Sequence, residues 1–150
     1  KETTMSKSKA IGTKAETALR NYLLSAGYTE LEAHRNVLKG SDDEGDVWVR
    51  DSNRGLIVFE VKGGKAAKEA SHEQMKKWYL EAETECDNAG ASFGFLVTQR
   101  AGVGYPRAGE WWAYGTLGDI AYLAGSGDLD SNAFIRLTVG ELVRLIRGEG

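Results

Sequence analysis

The chain has 150 residues, 41% of them apolar and 27% charged, which is ordinary material for one folded domain and lacks the polar bias of a disordered segment. No apolar run reaches the roughly 20 residues of a membrane span, and the opening "KETTMSKSKA" lacks the apolar stretch of a signal peptide. The net charge of −3 argues mildly against a nucleic-acid partner, but basic residues gather near the amino terminus (Lys7, Lys9, Lys14, Arg20) and again between Lys62 and Lys77, so local phosphate binding stays open.

Met5 reads as the native start, with residues 1–4 left from an expression vector. In chain order, the spacing of Leu19, Tyr22, Leu23 and Ala26 predicts a helix over Thr13–Ala26, stopped by Gly27. A short strand is expected around Leu31–Asn36, then a polar loop, "KGSDDEG". Two strands follow near Asp46–Arg50 and Leu56–Lys62, joined by the turn-forming "DSNRG". A helix over Ser71–Asn88 carries Met75, Trp78, Tyr79, Ala82 and Cys86 as its buried stripe, its acids lying mostly off that stripe. The strand "ASFGFLVTQ" is apolar on both faces, which suits an interior, parallel position reached by a helical crossover.

The glycine-rich "RAGVGYPRAGE" reads as a loop and "WWAYG" as a strand, on which Trp111 and Trp112 must point to opposite faces, one of them into the core. A helix near Leu117–Leu123, a strand around Phe134–Val139 and a helix over Gly140–Arg147 complete an α/β chain with a mixed central β-sheet flanked by helices. No composition shift divides it, so residues 1–150 are expected to form one domain.

Cys86 is the only cysteine, which excludes an intrachain disulfide and fits a reducing, cytoplasmic setting. Neither His34 nor His72 has a partner at zinc-ligand spacing, and no Walker loop is present.

The chemistry concentrates in "GDVWVRDSNRGLIVFEVKGG". Alternation places Leu56, Val58, Glu60 and Lys62 on one face of a strand whose other face is also apolar, so a central strand ends in a carboxylate and an ammonium. Antiparallel pairing would bring Asp46 beside Glu60. Two close carboxylates are costly unless a cation holds them together, and a hard ion such as Mg²⁺ takes oxygen ligands from such a pair. Asp46, Glu60 and the backbone carbonyl of Val61 could supply them, with Mn²⁺ as a substitute, while Lys62 orients a water or stabilises a charged phosphate. The alternative is a plain ion pair at a strand end.

"GD" followed by "EVK" on the next strand resembles the signature of the PD-(D/E)xK nucleases, with glycine in place of the usual proline. Within that superfamily, residues 11–98 look most like the archaeal-type Holliday junction resolvases. The resemblance implies a restriction-endonuclease-like core, Mg²⁺-dependent cleavage of branched, four-way DNA, and a homodimer that cuts two strands symmetrically. It implies catalytic roles for Asp46, Glu60, Lys62 and the helix residue Glu16, and phosphate contacts for Arg35 and Ser41. Gln74 resembles a supporting glutamine in this and VRR-type branches.

Several of these positions stay open between two roles. Glu16 also completes "TKAE", a capping box begun by Thr13. Arg35, Lys65 and Lys68 are phosphate contacts or solvated charges, and Ser41 is a phosphate contact or a turn residue. Arg100 and Arg107, with Tyr105, either reach DNA or sit on a surface loop. Residues 111–150 lie beyond the resemblance and either complete the sheet, form a dimer contact or hold a partner. The rival activities are a VRR-like, flap, exonucleolytic or restriction-type nuclease, a non-catalytic DNA-binding module on the same fold, and a protein-interaction domain using the acidic helix.

Overall fold

A computed structural model describes residues 4–36 and 46–149, with side chains from residue 10 onward. Helix α1 (Thr4–Ser25) leads into β1 (Ala33–Asn36), the hairpin β2 (Asp46–Asp51) and β3 (Gly55–Lys62), a one-turn helix α2 (Gly64–Lys68) and the long α3 (His72–Ala89). Strand β4 (Phe93–Thr98), a 3₁₀ segment (Tyr105–Glu110), β5 (Trp112–Thr116), α4 (Leu117–Leu123), β6 (Phe134–Thr138) and α5 (Val139–Ile146) follow.

The six strands form one open sheet in chain order, antiparallel throughout except where β4 runs parallel to β3. That parallel step needs a crossover, and α2 and α3 provide it. Strand β3 is thus interior, as its two apolar faces predict.

Alternation divides the strand side chains between two layers. Val47, Val49, Ile57, Phe59, Val61, Phe95 and Val97 join Ala15, Leu19 and Leu23 of α1 and Leu142 and Ile146 of α5 in the main core. On the other face, Leu96 and Tyr114 pack with Met75 and Tyr79 of α3. Helix α3 comes close to the sheet because Gly94 has no side chain: a Cβ there would lie 2.6 Å from Cys86 Cβ and 2.9 Å from the Ala82 carbonyl. Ser71 caps α3 by accepting the Gln74 N–H, and Gly90 ends it in the left-handed conformation.

The hairpin is tied to the far end of the molecule. Asp51 Oδ1 accepts the N–H groups of Asn53 and Arg54, closing the turn, and Oδ2 accepts the Tyr28 hydroxyl at 2.6 Å. Arg54 then donates to the carbonyls of Leu123, Leu145 and Ile146, at the ends of α4 and α5, which leave such acceptors without helical partners.

Several expectations change. Helix α1 begins at Thr4, well before Thr13, so "TKAE" lies in the helix interior and caps nothing; the apolar spacing marked only the stretch that packs on the sheet. Strand β1 starts at Ala33, and Leu31 is exposed. Helix α2 was not expected, and "YPRAGE" is a 3₁₀ segment rather than open loop. Trp111 precedes β5, but the two tryptophans do face opposite layers, Trp111 fully buried in the main core and Trp112 half-buried beside α3's cluster. Within α3, Trp78 and Cys86 are only half-buried.

Candidate functional site

The β2–β3 register places Asp46 directly opposite Glu60. Directly opposed residues share a face, here the one covered by α3. Their relative exposures are only 2% and 7%. Two residues further along the same face, Lys62 directs Nζ to 3.1 Å from Glu60 Oε2. Three of the four residues that the sequence assigned catalytic roles therefore converge where β3 leaves the core.

Helix α3 completes the surroundings. Glu81 reaches Lys62 Nζ at 3.5 Å, the Trp78 ring lies 5.7 Å from the same ammonium, and Glu85 adds negative charge beside Asp46. Trp78, Glu81 and Glu85 are spaced three and four apart, one helical face. That spacing was visible in the sequence, but which face turned toward the strand was not.

Burial is the main force raising the Asp46 pKa, to about 9, followed by the hydrogen bond and charge of Glu60 and then by Glu85. Asp46 Oδ2 is buried and without a hydrogen-bond partner among the described residues. A carboxyl so placed takes a proton or a cation. The donors present, two opposed carboxyl groups, fit a hard divalent ion that completes its shell with water or phosphate oxygens. Among the described residues no three His, Cys, Asp or Glu side chains form a closed metal cage. Val61, between Glu60 and Lys62, buries its side chain in the opposite layer.

Glu16 is elsewhere. It is 1% exposed and accepts from Arg35 Nε at 3.0 Å, with Thr13 Oγ1 3.5 Å from the same guanidinium. Arg35 sits opposite Val47, on the α1 side of the sheet, so this pair and the Asp46–Glu60–Lys62 group occupy opposite faces. Ser41 and Gly45 lie outside the described residues.

Lys65 and Lys68 are exposed on α2, directly after the site. The turn into α2 needs Gly64, whose φ is +78° and whose N–H donates to Gln99 Oε1 at 2.8 Å. Gln74 is half-buried in the first turn of α3. Arg107 makes a two-pronged bond to Glu110, at 2.9 and 2.7 Å, which leaves it largely neutralised at the surface. Arg100 lies over the Trp112 ring at 3.9 Å and donates to the Glu110 carbonyl. No helix among the described residues is long and apolar enough to cross a membrane.

Comparison with protein-family models, curated proteins and solved structures finds no match to this chain.

Proposed function

We propose that this protein is a Mg²⁺-dependent DNA endonuclease with a restriction-endonuclease-like, PD-(D/E)xK core, and that it cuts branched DNA in the manner of a Holliday junction resolvase. The supporting observation is the buried, directly opposed Asp46–Glu60 pair with Lys62 beside it. A plain surface ion pair would not bury two facing carboxyl groups, because that arrangement costs stability unless an ion or proton offsets it.

Asp46 and Glu60, with the Val61 carbonyl, would hold the Mg²⁺. When bound, the ion supplies Lewis acidity and lowers the pKa of a water. Hydrolysis adds a water oxygen to phosphorus and breaks one P–O ester bond, and the departing oxygen gains a proton. Lys62 places a positive charge where a phosphate oxygen gains negative charge, and its bonds to Glu60 and Glu81 hold it in position. Trp78 shields one side of that ammonium from water. Lys65, Lys68, Gln74 and Arg100 lie on surfaces from which DNA phosphates could be held. A homodimer would present two such sites to a two-fold symmetric junction.

Incubation with a synthetic four-way junction and Mg²⁺ or Mn²⁺ tests this reading. The parent protein is expected to cut and Glu60→Gln to leave the junction intact. Equal cutting by both, or none by either, would refute it.

A further inference from the structure

The same sheet face carries a second built feature that the catalytic group does not use. The register aligns Asp46, Glu60, Leu96, Tyr114 and Arg136 on one rung across five strands, and Lys62, Thr98, Trp112 and Thr138 on another two residues along. Trp112 therefore stands two strands from Lys62, roughly 10 Å away at ordinary strand spacing. Guanidinium groups stack on its ring from two residues, Arg100 at 3.9 Å and Arg136 at 4.0 Å. Two groups this close to one centroid must lie on opposite faces of the indole. Thr98, between Lys62 and Trp112, is fully buried, and its hydroxyl has no hydrogen-bond partner among the described residues.

We propose that Arg100, Trp112 and Arg136 form a binding platform for an unpaired nucleic-acid strand that runs from the Lys62 site toward β6. The stack and the Arg100 bond to the Glu110 carbonyl hold Arg100 in place, while the remaining N–H groups of Arg100 and those of Arg136 can meet phosphate oxygens. Exposed arginines usually give up side-chain freedom to bind an anion, and stacking has already removed much of it here. Arg136 is exposed on β6, an edge strand of the sheet. A base in an unpaired strand can stack on its guanidinium plane, whereas a base within a duplex already has both faces occupied. The strip also explains how an acidic chain binds a polyanion: its positive charge is local.

This platform rests on the nuclease reading for the identity of its polyanion, but its test needs no cutting. Affinity for a short labelled single-stranded oligonucleotide is measured by fluorescence anisotropy, with chelator present, between about 50 and 200 mM salt. Arg136→Ala is expected to lower the slope of log affinity against log salt by about 0.7, the value of one phosphate contact to a single strand. Arg136→Lys should keep the slope and weaken binding, because the charge stays and the plane is lost. Trp112→Leu should weaken binding about fivefold or more. Melting temperatures confirm that each variant is folded.

Unchanged affinity and slope in Arg100→Ala and Arg136→Ala would overturn the platform, and so would equally tight binding of blunt duplex. If the protein cuts DNA while these variants bind normally, only the platform falls. If it binds single strands through these residues and never cuts, only the nuclease reading falls.

Discussion

Asp46 and Glu60 face each other across the β2–β3 ladder as two carboxyl groups more than nine-tenths buried. Such a pair conflicts with itself unless something positive or a proton lies between. Glu60→Gln keeps the shape and removes a donor, so junction cutting should fall at least about 100-fold. DNA affinity measured without metal should change little, because the residue is not a phosphate contact. Cleavage rates and anisotropy on the same preparation check both halves.

The Asp46 pKa leads to a pH dependence with a definite sign. A carboxyl whose folded pKa lies above its unfolded value contributes stability below the unfolded pKa of about 3.8, and this contribution is lost as pH rises toward about 9. The metal-free protein should therefore melt at a lower temperature at pH 8 than at pH 5. Asp46→Asn should flatten that difference, and Mg²⁺ should raise the melting temperature more at pH 8 than at pH 5. Melting curves over this range, with and without Mg²⁺, provide the check. Glu83 and Asp119 are shifted in the same direction by burial, so part of the slope should survive in the variant.

Arg54 bonds to three carbonyls from two helix ends. Arg54→Ala removes all three bonds, leaving the Leu123 and Ile146 carbonyls to water while Leu145 keeps the Gly148 N–H, and is expected to cost about 2 kcal/mol, since the residue is partly exposed. In a domain of this size that is a drop of roughly 4–8 °C in melting temperature. The metal-dependent activity of the folded fraction should be kept, because the bonds lie at the opposite end of the hairpin from Glu60.

Gly94 admits α3 to the sheet at a distance no side chain allows. Gly94→Ala should destabilise the protein by about 1–3 kcal/mol through overpacking. Because α3 carries Glu81 and Glu85, the variant should also bind Mg²⁺ differently, which titration calorimetry reads.

Glu16 distinguishes two roles. Its carboxylate accepts from Arg35, on the sheet face opposite the Asp46–Glu60 pair. Glu16→Gln is therefore expected to lower the melting temperature and to leave Mg²⁺ affinity within about threefold of the parent; a loss comparable to that of Glu60→Gln would place it at the metal.

The sequence alone determined the local and nearest-neighbour features. Apolar alternation identified β3 as interior, the crossover helix implied the parallel β3–β4 step, and the short "DSNRG" turn implied that Asp46 meets Glu60. These follow because a pleat repeats every two residues and a tight turn allows few registers. Tertiary structure decided the rest. Glu16 follows Thr13 at the spacing of a capping box, so the local pattern read as a helix start. A helix extending upstream to Thr4 removed that role, and Arg35 claimed the carboxylate. The face of α3 that meets Lys62, and the meeting of Arg100 with Arg136 on one indole, depend on helix rotation and on strands brought together from distant parts of the chain. No local pattern encodes such contacts, because burial, rather than spacing, selects them.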